Sequence, residues 1–283
     1  MSKLDLRKIA PDLELTQDGW WTSGTLSHVA YPEEGNAGCF AIEDSSFWFQ
    51  HRNRCILEAM RHFPPFGALF DIGGGNGCVA RAIQESGHEG VLVEPGLVGV
   101  QNALKRGIRH VVRATFDDFD PLPETISAVG LFDIVEHIRN DSGFMARVNR
   151  SLMSGGRVYI TVPAYGWLWS HADVMAEHSR RYTIKTLSRL LEDAGYTVDF
   201  ATYFFSFLPF AVFLCRVLPY RLGFANKTTS PNDVRSDHAP GSPLVARIVE
   251  KLTRRELFRV AEQRPLGWGG SCLAVARKGS LRQ

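Results

Sequence analysis

Two periods of apolar and polar residues alternate along the chain. Short apolar runs stand at 68–72, 90–93, 110–115, 127–133, 157–163, 196–204 and 269–277. Between them lie stretches whose apolar residues return every three or four positions: 43–62, 77–86, 97–106, 141–152, 183–194 and 244–263. The first pattern predicts strands and the second amphipathic helices. Gly87, Gly107 and Gly195 stop three of the helices, Pro64-Pro65 stops the one that Asp44 or Ser45 would cap, and Thr183 starts another. The run at 127–133 has no polar alternation, as expected of a strand buried on both faces. Strands alternating with helices at this spacing predict an α/β fold, a parallel sheet covered on both faces.

The remaining segments add less regular structure. Residues 1–45 read as an irregular lead, with turns at Asp18-Gly19-Trp20-Trp21 and at Tyr31-Pro32-Glu33-Glu34-Gly35-Asn36. The paired tryptophans read as packing, with a lid over the site as the alternative. Residues 46–205 form the expected core. Residues 206–283 supply further helices, a loop of turn composition at 225–243 and a last strand. The apolar run 203–215 is interrupted by Pro209 and closed by Arg216, so it is too short to span a bilayer. It either packs beneath the sheet or offers an apolar face to a lipid-like substrate or a membrane surface, with Arg216 and Arg221 at the headgroups.

Composition narrows the classes. The chain is 45% hydrophobic and 22% charged over 283 residues, ordinary for a soluble globular protein. A net charge of +2 argues against a protein built on phosphate-backbone binding, so no nucleic-acid partner is expected. The five cysteines are scattered without a C-x-x-C pair, so no metal site of the usual zinc spacing is expected and a reducing cytoplasm fits best. The first ten residues lack an apolar signal core.

Chemistry concentrates where the 68–72 run ends. Asp71 is followed by Gly73, Gly75 and Gly77, a strand–turn–helix unit whose glycines admit positive φ and let a ligand approach backbone. The helix beginning near Gly77 adds free N–H groups and its positive end. A dinucleotide fingerprint needs its third glycine where Cys78 stands, which disfavours an NAD(P)-dependent oxidoreductase. The absence of Gly-Lys-Ser/Thr excludes a P-loop. Glu94-Pro95 closes the next strand, where a nucleotide-binding βαβ unit places the acid that accepts both ribose hydroxyls. Phe47-Trp48-Phe49…Arg52 reads either as a core-packing helix or as an aromatic cluster closing over a cofactor, with Arg52 on its carboxylate.

Together, the glycine turn, Glu94, Phe116-Asp117 after the third strand and the Gly155-Gly156 hairpin resemble class I S-adenosylmethionine (SAM) methyltransferases over about residues 45–200. More narrowly, Phe47-Trp48-Phe49…Arg52, Asp133-Ile134-Val135-Glu136-His137 and Trp167-Leu168-Trp169-Ser170…His178-Ser179-Arg180-Arg181-Tyr182 resemble a bacterial branch of that family. The branch tends to have glycine before the histidine of the last block, where this chain has Glu177. The resemblance implies a seven-stranded Rossmann-like sheet with the last strand antiparallel. SAM would be the cofactor and S-adenosylhomocysteine the product. Asp71, Gly73, Gly75 and Gly77 would hold the methionine part, and Glu94 and Pro95 the ribose. Thr115 or Asp117 and Phe116 would frame the adenine, and Leu131, Phe132 and Asp133 would line the sulfonium side.

Methyl transfer from a sulfonium is an in-line displacement that needs alignment and, for a hydroxyl nucleophile, a proton acceptor. His137 and His178 are the candidate bases; the alternative for His137 is a structural tie to Glu136 or a backbone carbonyl. Asp173 and His171 are lesser candidates. Trp169, Arg180, Arg181 and Tyr182 suit a carboxylate or phosphate on the substrate, unless they form a solvated basic turn. The expected reaction moves a methyl group to an O or N nucleophile of a small-molecule or lipid- or sugar-linked acceptor, in a monomer or homodimer that is cytoplasmic, with peripheral membrane contact through 203–221 as the alternative to packing of that run beneath the sheet. The alternative is a SAM-binding partner or regulatory module without turnover.

Overall fold

The computed structural model describes residues 4–24, 38–223 and 242–279. A single mixed sheet organises them. Its strands are β1 (Glu14–Leu15), β2 (Trp21–Thr22), β3 (Leu69–Ile72), β4 (Gly90–Val93), β5 (His110–Arg113), β6 (Ile126–Phe132), β7 (Leu152–Pro163), β8 (Tyr196–Phe204) and β9 (Ser271–Lys278). They lie in the order β1-β2-β5-β4-β3-β6-β7-β9-β8. Strands β3 to β7 are parallel, and β9 runs antiparallel to both β7 and β8.

The sheet has nine strands rather than the expected seven. The first two come from the lead: β1 and β2 pair antiparallel, and β2 adds parallel to β5. Trp20 packs on the small cluster of Leu92, Val100 and Ala103, and Trp21 on the larger core. In the described part of the lead the tryptophans therefore pack against the sheet rather than close a lid. The Tyr31–Asn36 turn and nearly all of the 225–243 loop lie outside the described residues.

Helices cover both faces. On one face lie α1 (Leu6–Ile9), α5 (Phe116–Phe119), α6 (Asp141–Ser151) and α8 (Ile184–Asp193), whose Leu6, Phe119, Phe144, Leu187 and Leu191 meet Phe70, Val129 and Ile160 of the sheet. On the other lie α2 (Phe47–His62), α3 (Cys78–Glu85) and α11 (Pro243–Ala261), packing Ile56, Met60, Ile83 and Val260 against Leu69, Tyr159 and Leu273; α4 (Leu97–Lys105) sits beside α3. β6 is buried along its whole length, as its unbroken apolar run predicted.

Several boundaries move. Helix α2 starts at Phe47, and Ser46 caps it by accepting from the Trp48 N–H at 3.2 Å. Asp44 and Ser45 precede the cap because the chain still turns there. The fifth parallel strand begins at Leu152, since the Gly155-Gly156 segment stays in the sheet. After β8, the apolar run leaves the sheet and becomes α9 (Leu208–Val212), a π-helical turn (Phe213–Val217) and α10 (Leu218–Arg221). Strand order reverses between β3 and β6, and open α/β sheets bind ligands outside the carboxyl ends at such a switch point.

Candidate cofactor and acceptor site

The glycine loop leaves β3 at that point. Gly73, Gly75 and Gly77 have φ of 64°, 55° and 76°, in the left-handed region where only glycine avoids a Cβ penalty. Gly73 N–H donates to Val93 O at 2.7 Å and Gly77 N–H to Gly74 O at 3.0 Å, so the turn is closed on itself and on β4. A Cβ on Gly74 would sit 2.3 Å from Leu92 Cδ1 and 2.6 Å from Asp71 Oδ2, which fixes the loop close above the acid. Gly77 is the left-handed N-cap of α3 and has no side chain with which to satisfy the first N–H groups.

Two buried acids meet this loop. Glu94 Oε2 accepts from Gly75 N–H at 2.9 Å and Oε1 from Gly96 N–H at 2.8 Å, so the carboxylate clamps both turns. A carboxylate's two oxygens together can accept about four hydrogen bonds, which suits a cis-diol. Asp71 is buried, and among the described residues neither carboxylate oxygen has a partner of full hydrogen-bond geometry, the Ala80 N–H acting on it only weakly. Burial pushes its carboxyl up to about 7, with Glu94 adding to the rise and Arg52 opposing it. A buried acid without a partner beside a glycine cradle fits a cationic ligand group such as an amino acid's ammonium.

A clamp that sequence reasoning missed holds the loop from outside. Asn76 is buried, donates to Glu43 Oε1 at 3.1 Å and accepts from Asn102 Nδ2 at 2.9 Å. Arg106 reaches Glu43 Oε2 at 2.5 Å and Asn76 O at 3.3 Å. These residues come from three separated segments, so no local spacing signals them.

Arg52 does not project freely from α2. Its guanidinium lies 4.9 Å from the Trp48 ring and 5.2 Å from Phe49, and donates to Asp133 Oδ2 at 2.6 Å. Asp133 takes φ of 59° just after β6 and accepts from Thr161 Oγ1 at 3.1 Å. The aromatic helix and the end of the fourth parallel strand thus meet through this ion pair. Leu131 and Phe132 are buried in the core, and Pro95 is half-buried beside Glu94. At the end of β5, Thr115 caps α5 by accepting from the Asp118 N–H at 3.0 Å. Phe116 is 7% exposed and packs edge-on against Phe144. Asp117 pairs with Arg147 at the surface.

Beyond Asp133 stand Glu136, His137 and His178, with one ligand-capable atom of each within 4.8 Å of the others. The two imidazoles meet edge to face at 4.8 Å. Burial and the neighbouring His178 lower the His137 pKa to about 4, which keeps it neutral at physiological pH. Burial and the charge of Asp133 raise the Glu136 carboxyl well above its ordinary range. His178 Nδ1 lies 2.9 Å from Asp173 Oδ1. Asp173 also takes Arg181 through two contacts, of 2.6 and 3.0 Å, and the Ser170 N–H at 2.8 Å. Burial opposes its ionisation, but the bonds from His178 and Arg181 prevail and hold it well below the usual carboxylate range.

The other predicted acceptor residues are also engaged. Arg180 donates to Asp141 Oδ2 at 2.8 Å and to Arg139 O at 2.6 Å, and Tyr182 OH shares Asp141 Oδ2 at 2.8 Å. Trp169 is half-buried just before α7 (His171–Met175). Glu177, just before His178, has φ of 55°, in the left-handed region that favours glycine. The structure therefore brings His137, His178 and Arg181 together around Asp173 and Glu136, while Arg180 and Tyr182 turn toward Asp141.

Residues 45–199 match the family described as a methyltransferase domain. The chain belongs to that family, of the class I SAM-dependent kind. Solved structures share the fold at low identity. A chain of the complex between the Haloferax volcanii Trm112 methyltransferase activator and a methyltransferase aligns with a TM-score of 0.56 at 15% identity, over 89% of this chain and 97% of that one. Haemonchus contortus phosphoethanolamine N-methyltransferase 2, in complex with SAM, aligns at 0.55 and 17%, over 91% of this chain and 61% of that one. The [4+2]-cyclase SpnF aligns at 0.53 and 15%, over 90% and 98%. Among curated proteins, none matches the chain by sequence.

Proposed function

We propose that the protein transfers a methyl group from SAM to an oxygen or nitrogen nucleophile of a small-molecule or lipid-linked acceptor. The observation that carries this reading is the pair of buried acids on the glycine loop: Asp71 without a partner and Glu94 bonded to the Gly75 and Gly96 amides. Asp71 would face the cofactor's ammonium and the Gly73–Gly77 backbone its carboxylate end. Glu94, with Pro95 beside it, would accept the ribose hydroxyls. Thr115 and Phe116 would border the adenine, and Leu131, Phe132 and Asp133 the sulfonium. Arg52 would serve by holding Asp133 and reach the cofactor carboxylate only by exchanging that partner.

Bound SAM supplies an activated methyl carbon and a neutral leaving group. The chain's own residues then need only hold the acceptor in line and manage its proton. His137 and His178 are the groups we assign to that wall, with Trp169, Arg180, Arg181 and Tyr182 framing the acceptor. A lipid-linked acceptor is supported by Phe210, Leu214, Leu218 and Leu222, exposed large apolar residues four positions apart, with Arg216 and Arg221 among them. Among the described residues no helix is long and apolar enough to cross a membrane.

A second reading, cofactor binding without turnover, is favoured by one observation: Arg180 and Arg181 are already satisfied by Asp141 and Asp173. The same fold in a [4+2]-cyclase shows that architecture alone does not specify methyl transfer. Calorimetry with SAM tests the first step: wild type should bind, and Gly75→Arg and Glu94→Ala should weaken binding at least tenfold. Wild-type binding no tighter than that of the variants defeats both readings. Isotope-labelled SAM with a metabolite extract then separates them: label transfer that His137→Ala or His178→Ala abolishes supports methyl transfer, and SAM binding without any labelled product supports the second reading.

A further inference from the structure

The absence of C-x-x-C spacing gave no reason to expect a metal site, yet the fold assembles one from side chains far apart in sequence. We propose that Glu136, His137 and His178 bind one divalent transition-metal ion such as Zn²⁺ or Mn²⁺ at the acceptor end of the site. Three observations converge on it. The ligand-capable atoms already lie within 4.8 Å of one another, with His178 Nε2 and Glu136 Oε1 4.0 Å apart. Ligand bonds of about 2.1 Å place tetrahedral donors about 3.4 Å apart, so a small inward movement of the side chains completes the set.

Glu136 is 1% exposed, and its Oε2 is buried with no hydrogen-bond partner, an acceptor that none of the described residues satisfies. Its main-chain carbonyl is used instead, accepting from the Ser179 N–H at 2.7 Å, which pins the histidine loop against the carboxylate.

Both imidazoles are oriented from behind. Asp173 Oδ1 takes His178 Nδ1, which leaves Nε2 with its lone pair toward Glu136. The Ala176 and Glu177 carbonyls are within hydrogen-bonding reach of the His137 ring. A carboxylate or carbonyl behind each imidazole is how protein metal sites fix tautomer and ring direction. Two imidazoles and one carboxylate form a borderline donor set, suited to Zn²⁺, Mn²⁺ or Fe²⁺ more than to Mg²⁺ or Ca²⁺.

The role of the ion, though not its binding, rests on the methyl-transfer reading. Three protein ligands leave coordination positions open for an acceptor oxygen. A hydroxyl coordinated there loses its proton to water more readily. Its electron pair then forms the O–CH₃ bond as the CH₃–S bond breaks and that pair returns to sulfur. His137 and His178 act on the acceptor through the ion and not as free bases.

The test uses full-length protein, freed of any affinity tag and stripped of metal. It is titrated with Zn²⁺ alone by calorimetry and with Mn²⁺ alone by paramagnetic resonance, while SAM affinity is measured on the same samples. Wild type should take up about one ion per chain. Glu136→Gln, His137→Ala and His178→Ala should lose that uptake yet keep SAM binding, which shows that they fold. Asp173→Asn should weaken uptake about 10- to 100-fold, the loss seen when an outer-shell partner is removed. No stoichiometric uptake by wild type, or equal uptake by the three ligand variants, overturns the site. Loss of SAM binding in wild type would instead defeat the methyl-transfer reading and leave the ion measurement standing.

Discussion

Asp71 offers the sharpest test of how the glycine loop stores free energy for a ligand. Its carboxylate is buried, neither oxygen has a partner of full hydrogen-bond geometry among the described residues, and burial lifts its pKa from 3.8 to about 7. In the unfolded chain it titrates near its ordinary value. Between about pH 4 and pH 7 the folded protein therefore holds a proton that the unfolded chain has lost. Stability from this group is complete below pH 4 and disappears as the pH rises through 7. A rise of about three pKa units is worth about 4 kcal/mol at 1.36 kcal/mol per unit. Roughly 3 kcal/mol of this falls between pH 5 and pH 8. Asp71→Asn keeps the shape and removes the titration. In urea unfolding without cofactor, followed by tryptophan fluorescence at pH 5 and pH 8, wild type should lose about 3 kcal/mol more than the variant. Parallel pH dependence in the two proteins would refute the idea that this acid is held unsatisfied in the fold. If it is the ammonium site, SAM should also stabilise wild type more than Asp71→Asn at pH 8.

Two further outcomes follow from other residues. Glu177→Gly relieves a left-handed residue, worth about 1–2 kcal/mol, against about 0.5–1 kcal/mol for glycine's extra freedom in the unfolded chain. A net gain of about 0.5–1 kcal/mol should raise the melting temperature by about 2 °C in differential scanning calorimetry, and a fall would count against the strain. Glu256 accepts from the Phe205 and Ser206 N–H groups at 2.8 and 2.6 Å and lies 2.9 Å from His51 Nε2, joining α11, α2 and the turn after β8. Glu256→Ala should cost about 3–5 kcal/mol by chemical denaturation because it leaves buried partners unpaired; a loss under 1 kcal/mol would show that the network contributes little.

The strand–helix alternation was legible because parallel strands buried on both faces leave unbroken apolar runs, as in β6, and because glycine and proline mark the ends of their helices. Asp71, Gly73, Gly75, Gly77 and Glu94 were legible for a related reason: a βαβ unit places its ligand-facing residues at fixed distances along one short piece of chain. The two lead strands were not, since two-residue strands carry no period. The substrate-side reading of Arg180, Arg181 and Tyr182 recognised basic groups but not their partners. Asp141 and Asp173 belong to other helices, and only packing brings them into range.

From the sequence alone follow the α/β class, the glycine loop and the acid after the second parallel strand, because each depends on local spacing and local backbone conformation; the class of methyl donor followed from the family resemblance that these residues carry. The tertiary structure decided the rest. It paired Arg52 with Asp133, left Asp71 without a partner among the described residues, clamped the loop through Glu43, Asn76 and Arg106, and set Glu136 and His137 against His178 from the loop after the next strand. These contacts join residues separated by tens of positions. Their energies come from burial and from the direction of each side chain, which a linear pattern does not carry.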